Sequence, residues 1–101
     1  MTKVKAADYI VELLAQHGVD VVFGYQGGMV THLADSISKH PQMKFVQVYH
    51  EQTAAFAAVG YARKSGRIGV AIATSGPGAT NLITGIADAF FDSVPVIFIT
   101  G

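Results

Sequence analysis

The run Ile68-Gly69-Val70-Ala71-Ile72-Ala73-Thr74 is apolar on both faces of an extended strand. A strand with one wet face alternates apolar and polar residues; one that is apolar throughout is covered on both sides, as parallel strands inside α/β proteins are. This segment therefore calls for helices above and below a sheet, and the rest of the chain supplies them. Ala6, Ala7, Ile10, Val11, Leu13 and Leu14 recur at helical spacing, with Thr2 as a cap and Gly18 as the stop. Val21-Val22-Phe23 reads as a short buried strand, and Gly24-Tyr25-Gln26-Gly27-Gly28 as a loop. A second helix runs from Met29 to about Lys39 and ends before Pro41. Lys44 to Tyr49 reads as the second strand, followed by a helix of small residues that ends near Lys64, at Ser65-Gly66. Ser75-Gly76-Pro77-Gly78 is a tight loop, Ala79 to about Phe91 a further helix, and Val94 to Thr100 a fourth strand. Pro95 is confined to that strand's first residues, where a missing N–H is tolerated. The order α-β-α-β-α-β-α-β predicts an α/β fold: a parallel sheet with helices on both faces and right-handed crossovers.

A chain of 101 residues holds one domain at most. Only 14% of its residues are charged, too few to coat the surface, so faces covered by another domain or subunit are expected. The chain stops at Gly101, directly after its final strand, which lacks a covering helix; part of a larger unit is expected. Seven basic residues balance seven acidic ones, with no basic cluster beyond Arg63-Lys64 and Arg67. Neither nucleic acid nor an anionic membrane is an expected partner. The absence of cysteine excludes disulfides and thiolate metal sites. Asp8 comes too early for a signal peptide, and Val94 to Ile99 is far too short to span a membrane. A soluble cytoplasmic protein is expected.

Three loops leave the carboxyl ends of successive strands: Gly24 to Gly28, Tyr49 to Glu51, and Ser75 to Gly78. In a parallel sheet they share the edge where such folds bind ligands, although glycines there also simply make turns. A dinucleotide fingerprint, G-x-G-x-x-G, fails at Gln26 and Met29 in the first loop and at Asn81 in the third. The zinc-protease pattern H-E-x-x-H starts at His50-Glu51 but meets Ala54. A nucleophile elbow fails because Ala73 stands where its first glycine belongs. His17, His32 and His40 fit solvated helix surfaces or ends; His50 is placed to shape the surroundings of Glu51. Glu51 itself has two readings. At a helix start it can simply complement the helix dipole. Under apolar cover from Phe45, Val46, Val48 and the alanine-rich turn, it can instead share a proton with a basic ligand nitrogen.

Tyr49-His50-Glu51-Gln52, with the alanine-rich helix ending Gly60-Tyr61-Ala62-Arg63, resembles the activating glutamate segment of thiamine diphosphate-dependent enzymes. Thr74-Ser75-Gly76-Pro77-Gly78-Ala79-Thr80-Asn81-Leu82 is similar to that family's loop beside the pyrimidine ring. Asp92-Ser93-Val94-Pro95-Val96 resembles its next turn and strand, and Gly24 to Gly28 its first active-site loop. The likeness covers essentially the whole chain and is greatest to the acetolactate synthase (acetohydroxyacid synthase) branch. It implies the thiamine diphosphate-binding fold, with residues 1–101 as a partial N-terminal pyrimidine-binding domain and the central and diphosphate-binding domains absent.

The resemblance further implies that Glu51 is catalytic and hydrogen-bonds N1′ of the cofactor's aminopyrimidine. Gly76, Pro77 and Asn81 would line the pyrimidine, and Tyr25, Gln26 and Gly27 the substrate side. The implied reaction decarboxylates a 2-oxo acid such as pyruvate and joins the fragment to a second carbonyl, as in branched-chain amino acid biosynthesis. Mg²⁺ would be held by the missing domain through a Gly-Asp-Gly segment and a later Asn; Asn81 is the only asparagine here, so no metal ligand is expected. FAD and a regulatory subunit are optional companions of the full-length enzyme. A homodimer or tetramer with its active site at the subunit interface is implied, and the chain alone should be inactive. Gln26 stands where the synthases usually carry Pro, and Met29 where they carry a small residue. A related carboligase or decarboxylase of sugar or 2-oxo-acid metabolism is therefore the alternative, while Glu51 argues against the glyoxylate carboligase branch. A non-catalytic module that only pairs with a partner chain is the rival from another class.

Overall fold

Val21–Gly24 (β1) and Gly69–Ala73 (β3) form the middle of a four-stranded sheet in this computed structural model, which describes residues 3–101. Lys44–Gln47 (β2) flanks β1 and Val96–Thr100 (β4) flanks β3, giving the order β2-β1-β3-β4 with every pair parallel. The helices are Ala6–Gln16 (α1), Thr31–Lys39 (α2), Glu51–Ser65 (α3), Pro77–Thr80 (α4) and Ile83–Phe91 (α5). All five residues of β3 are buried, as its unbroken apolar pattern demands. Val70 and Ile72 join Val22 in one core with Val11 and Leu14 of α1 and Val30, Leu33 and Ile37 on the α2 side. Ala71 and Ala73 face the other way, into a core with Ala54, Ala55 and Ala58 of α3 and with Leu82. The expected α/β sheet covered on both faces is the observed one.

The small residues of α3 have a packing purpose. Alanine favours the helix, and it lets two neighbours approach closely. A Cβ placed on Gly69 would lie 2.3 Å from the Ala58 carbonyl oxygen, and one on Gly85 would lie 2.2 Å from Ala55 Cβ. Helix α3 therefore rests directly on β3 and α5. Its stop is Gly66, in the left-handed region at φ 72°, whose N–H bonds the Ala62 carbonyl.

Several boundaries differ from the sequence expectation. The cap assigned to Thr2 lies outside the described residues, and the N-cap position is Lys5, with no side-chain bond. Met29 belongs to a 3₁₀ turn, Gly28–Val30, before α2 begins at Thr31. Strand β2 ends at Gln47, although the Val48 N–H still bonds the Gly24 carbonyl at 2.9 Å. The helix expected from Ala79 to Phe91 is two helices, broken at Asn81-Leu82. Pro95 precedes β4, and its carbonyl accepts the Gly69 N–H at 3.0 Å. His40 is not solvated as expected: its side chain is 14% exposed and its Nε2 pairs with Glu12 Oε2 at 3.0 Å. Together with the Ser36 hydroxyl, which donates to Asp8 at 2.6 Å, this pair joins α2 to α1. Among the described residues, no helix is long and apolar enough to cross a membrane.

At the amino edge of the sheet, the Tyr61 hydroxyl donates to Asp20, which also accepts from Arg67 Nη1 at 2.7 Å. That donated hydrogen bond raises the Tyr61 pKa above its ordinary value; burial and the Asp20 charge add to the rise, and Arg67 opposes it. A group whose folded pKa is raised contributes stability in full below its unfolded pKa and loses it as pH climbs through the folded one. Stability is therefore expected to fall above about pH 10 as Tyr61 ionises. Tyr61→Phe should flatten that part of the fall in urea midpoints measured between about pH 8 and 12. An unchanged slope would mean that the bond carries no pH-dependent stability.

Candidate functional site

The helix after β1 packs on one face of the sheet and the helices after β3 on the other. The loops leaving these adjacent strands therefore diverge, which opens the crevice where open α/β sheets bind ligands. Thr74, the residue after β3, forms its floor. A Cβ on Gly27 would lie 2.5 Å from Thr74 Cβ, and one on Gly78 would lie 2.9 Å from Thr74 Cγ2. The Met29 N–H donates to Thr74 Oγ1 at 3.3 Å, and the Thr31 hydroxyl donates to the Gly27 carbonyl at 3.1 Å. The first and third loops thus meet over one threonine, and only glycines permit the approach.

Glu51 is the first residue of α3 and is half-buried. Its Oε2 accepts a hydrogen bond from Asn81 Nδ2 at 3.0 Å. Its Oε1 lies 3.6 Å from where a Gly78 Cβ would stand, so the second and third loops also meet. No donor to Oε1 is present among the described residues. His50 turns away from this pair: it is the N-cap of α3, and its Nδ1 accepts the Gln52 N–H at 3.1 Å. That bond requires a bare Nδ1, so a neutral ring carries its proton on Nε2.

The remaining expected residues are spread around the crevice. Gly76 is the exposed N-cap of α4 at φ 74°, and Pro77 is the first residue of that helix. Tyr25 makes an edge contact with Tyr49, ring centroids 6.2 Å apart, tying the first loop to the end of β2. Gln26 borders a separate groove of about 260 Å³ on the α2 side, with Thr31, Ala34, Asp35, Ser38 and Phe45, and neither Glu51 nor Asn81 lines it. The apolar cover expected for Glu51 needs one correction. Phe45 packs into the core on the α1–α2 face, whereas Val48 packs with the alanines of α3. The alternation of a β-strand sends its neighbours to opposite faces. The sequence reading missed the role of Thr74; its signal was a hydroxyl residue closing an otherwise apolar strand.

The arrangement fits a flat, basic heterocycle. A carboxylate oxygen without a protein donor stands beside a glycine, and a Cβ added to Gly76 would meet nothing within 4 Å. Among the described residues, no three His, Asp or Glu side chains gather around a common point.

The structure thus defines an α/β domain with a crevice at the switch point between β1 and β3 and a half-buried glutamate at the start of α3. Residues 4–101 match the family described as "Thiamine pyrophosphate enzyme, N-terminal TPP binding domain", and the chain belongs to that family. It is 54% identical over 95 residues to acetolactate synthase 2, chloroplastic, of Brassica napus, covering 94% of this chain and 15% of that protein. It is 53% identical over 95 residues to the acetolactate synthase isozyme 2 large subunit of Escherichia coli, covering 94% of this chain and 17% of that one. With acetolactate synthase of Arthrospira platensis the identity is 51% over 102 residues, covering 98% of this chain and 18% of that protein. The chain therefore spans less than a fifth of the length of these relatives.

Proposed function

We propose that this chain is the pyrimidine-binding part of a thiamine diphosphate-dependent carboligase of the acetolactate synthase type, acting on a 2-oxo acid such as pyruvate. The observation that carries the reading is the Glu51 carboxylate, held at Oε2 by Asn81 and open at Oε1 beside Gly78. When bound, the cofactor supplies a nucleophilic ring carbon and an electron sink, through which the 2-oxo acid loses carbon dioxide and its fragment joins a second carbonyl. Glu51 holds a proton at Oε1, shared with a pyrimidine ring nitrogen. Gly78 leaves room for the ring edge, and Gly76 and Pro77 border it. The half-burial of Glu51 strengthens the hydrogen bonds of its carboxylate. Tyr25, Gln26 and Gly27 belong to the substrate side, with Gln26 at its outer limit.

Residues 1–101 are then a partial pyrimidine-binding domain. The Mg²⁺ and diphosphate ligands lie outside it, as would any flavin or regulatory subunit. An assembly with the site at a subunit interface, a homodimer or tetramer, is supported by the exposed Ile83, Phe90 and Phe91 of α5, the last two 78% and 80% accessible. Isothermal titration of the 101-residue chain with thiamine diphosphate and Mg²⁺ tests the division. No micromolar binding is expected, because a ring and one carboxylate alone cannot hold the diphosphate. A micromolar Kd would overturn the reading of a divided site.

A further inference from the structure

We infer that Asn81 is a positioning residue for Glu51: its amide fixes Oε2 so that Oε1 alone faces the ligand and alone can carry the shared proton. The inference rests on the function proposed above and adds a residue that acts through another. The sequence reading placed Asn81 against the pyrimidine ring; in the structure its amide nitrogen donates to the Glu51 carboxylate, at 3.0 Å. The chemistry fixes which end of the amide faces Glu51. An amide NH₂ group donates and cannot accept, whereas the amide oxygen would repel a carboxylate. Oε2 is then an acceptor whether Glu51 is ionised or protonated. A proton placed on Oε2 would collide with the Asn81 N–H, so the protonated form carries it on Oε1.

The backbone explains why this amide is available. Helix α4 ends at Thr80, and α5 begins only at Ile83. The Asn81 N–H bonds the Pro77 carbonyl at 3.2 Å, the Leu82 N–H bonds the Ala79 carbonyl at 3.0 Å, and the Leu82 carbonyl accepts the Ile86 N–H at 2.9 Å. Leu82 is fully buried in the α3 core, so the break is anchored by the residue that follows Asn81. Glu51 and Asn81 are thirty positions apart and bridge the second and third loops at a half-buried place. Gly78, one turn earlier, keeps the space beside Oε1 clear. A helix end, a core anchor and a glycine thus combine to orient one carboxylate.

Asn81 is the only asparagine in the chain, so ¹⁵N-asparagine labelling yields a single side-chain amide pair. In the 101-residue protein that pair should show one amide proton shifted downfield by its bond to Glu51, and Glu51→Leu should return it to the position of a free amide. A pair that Glu51→Leu leaves in place would overturn the inference. In the full-length enzyme that carries this segment, exchange of the bound cofactor's C2 proton with deuterium gives a readout separate from turnover. Asn81→Leu is expected to slow that exchange about 10- to 100-fold while cofactor affinity changes less than about threefold. Asn81→Asp, equal in shape but without the donor, should slow it at least as much, and it decides the case in which the leucine variant does not fold. If Glu51→Gln slows exchange and both Asn81 variants leave it unchanged, the positioning role falls and the proposed function stands. If Glu51→Gln leaves it unchanged, the proposed function itself falls. Lost cofactor affinity with normal exchange at saturation would make Asn81 a ligand of the ring and overturn the inference.

Discussion

Glu51→Gln in the full-length enzyme that carries this segment is expected to lower kcat by about 10²- to 10⁴-fold, the range of a lost acid–base group. The two side chains have the same shape. A glutamine carbonyl oxygen at the Oε2 position would still accept the Asn81 hydrogen bond, now 3.0 Å long, so the side chain keeps its place. Its NH₂ would then occupy the Oε1 position, beside Gly78. It could donate to a neutral ring nitrogen, but it could neither take up nor release a proton. Binding should survive while the proton function is lost, so the fall belongs in kcat and the KM for cofactor should move only a few-fold. Thermal unfolding should stay close to the parent, because a half-buried, isosteric exchange opens no cavity. Steady-state kinetics beside a melting curve make the check. Turnover within about fivefold of the parent would remove Glu51 from the chemistry, since a general acid–base group is worth far more.

The architecture was legible because burial writes itself into sequence. An apolar run such as Ile68 to Thr74 has one comfortable environment, and β3 occupies it. The convergence of three loops followed from that topology. The geometry within the loops was not legible, because it depends on contacts between residues far apart in the chain. Asn81 fits a helical pattern as well as it fits a break; the buried Leu82 and the bond to Glu51 decide for the break. Phe45 and Val48 look alike as apolar cover, yet the pleat sends them to opposite cores. His40 looks like any surface histidine until α1 brings Glu12 to it. The small residues of α3 show in the sequence, but not what they meet; β3 and α5 pack on them, so the stripe belongs to the core.

Gly85→Val is expected to destabilise the fold by about 3 kcal/mol or more, the upper end of overpacking costs. A Cβ on Gly85 would lie 2.2 Å from Ala55 Cβ and 3.3 Å from its Cα, against an ordinary carbon contact of about 3.5–4.0 Å. Both sites are buried and both belong to helices, so no side-chain rotation relieves the overlap. The remaining response is for α5 to retreat from α3 by more than about 1 Å, which opens the packing around Leu82. For a chain of this size, such a loss should lower Tm by about 10–20 °C. A compensating change identifies the cause. Ala55→Gly removes the opposing Cβ, so the pair Ala55→Gly with Gly85→Ala should be more stable than the sum of the two single effects, with a coupling of about 1 kcal/mol or more. Urea unfolding of the four proteins measures it, and additive effects would mean that α5 does not seat on Ala55. The consequence reaches the crevice, because Asn81 and Leu82 form the lead-in to α5. A helix displaced at Gly85 draws the Asn81 amide away from Glu51, so a substitution in the α3–α5 contact should slow the chemistry of the carboxylate without touching any ligand.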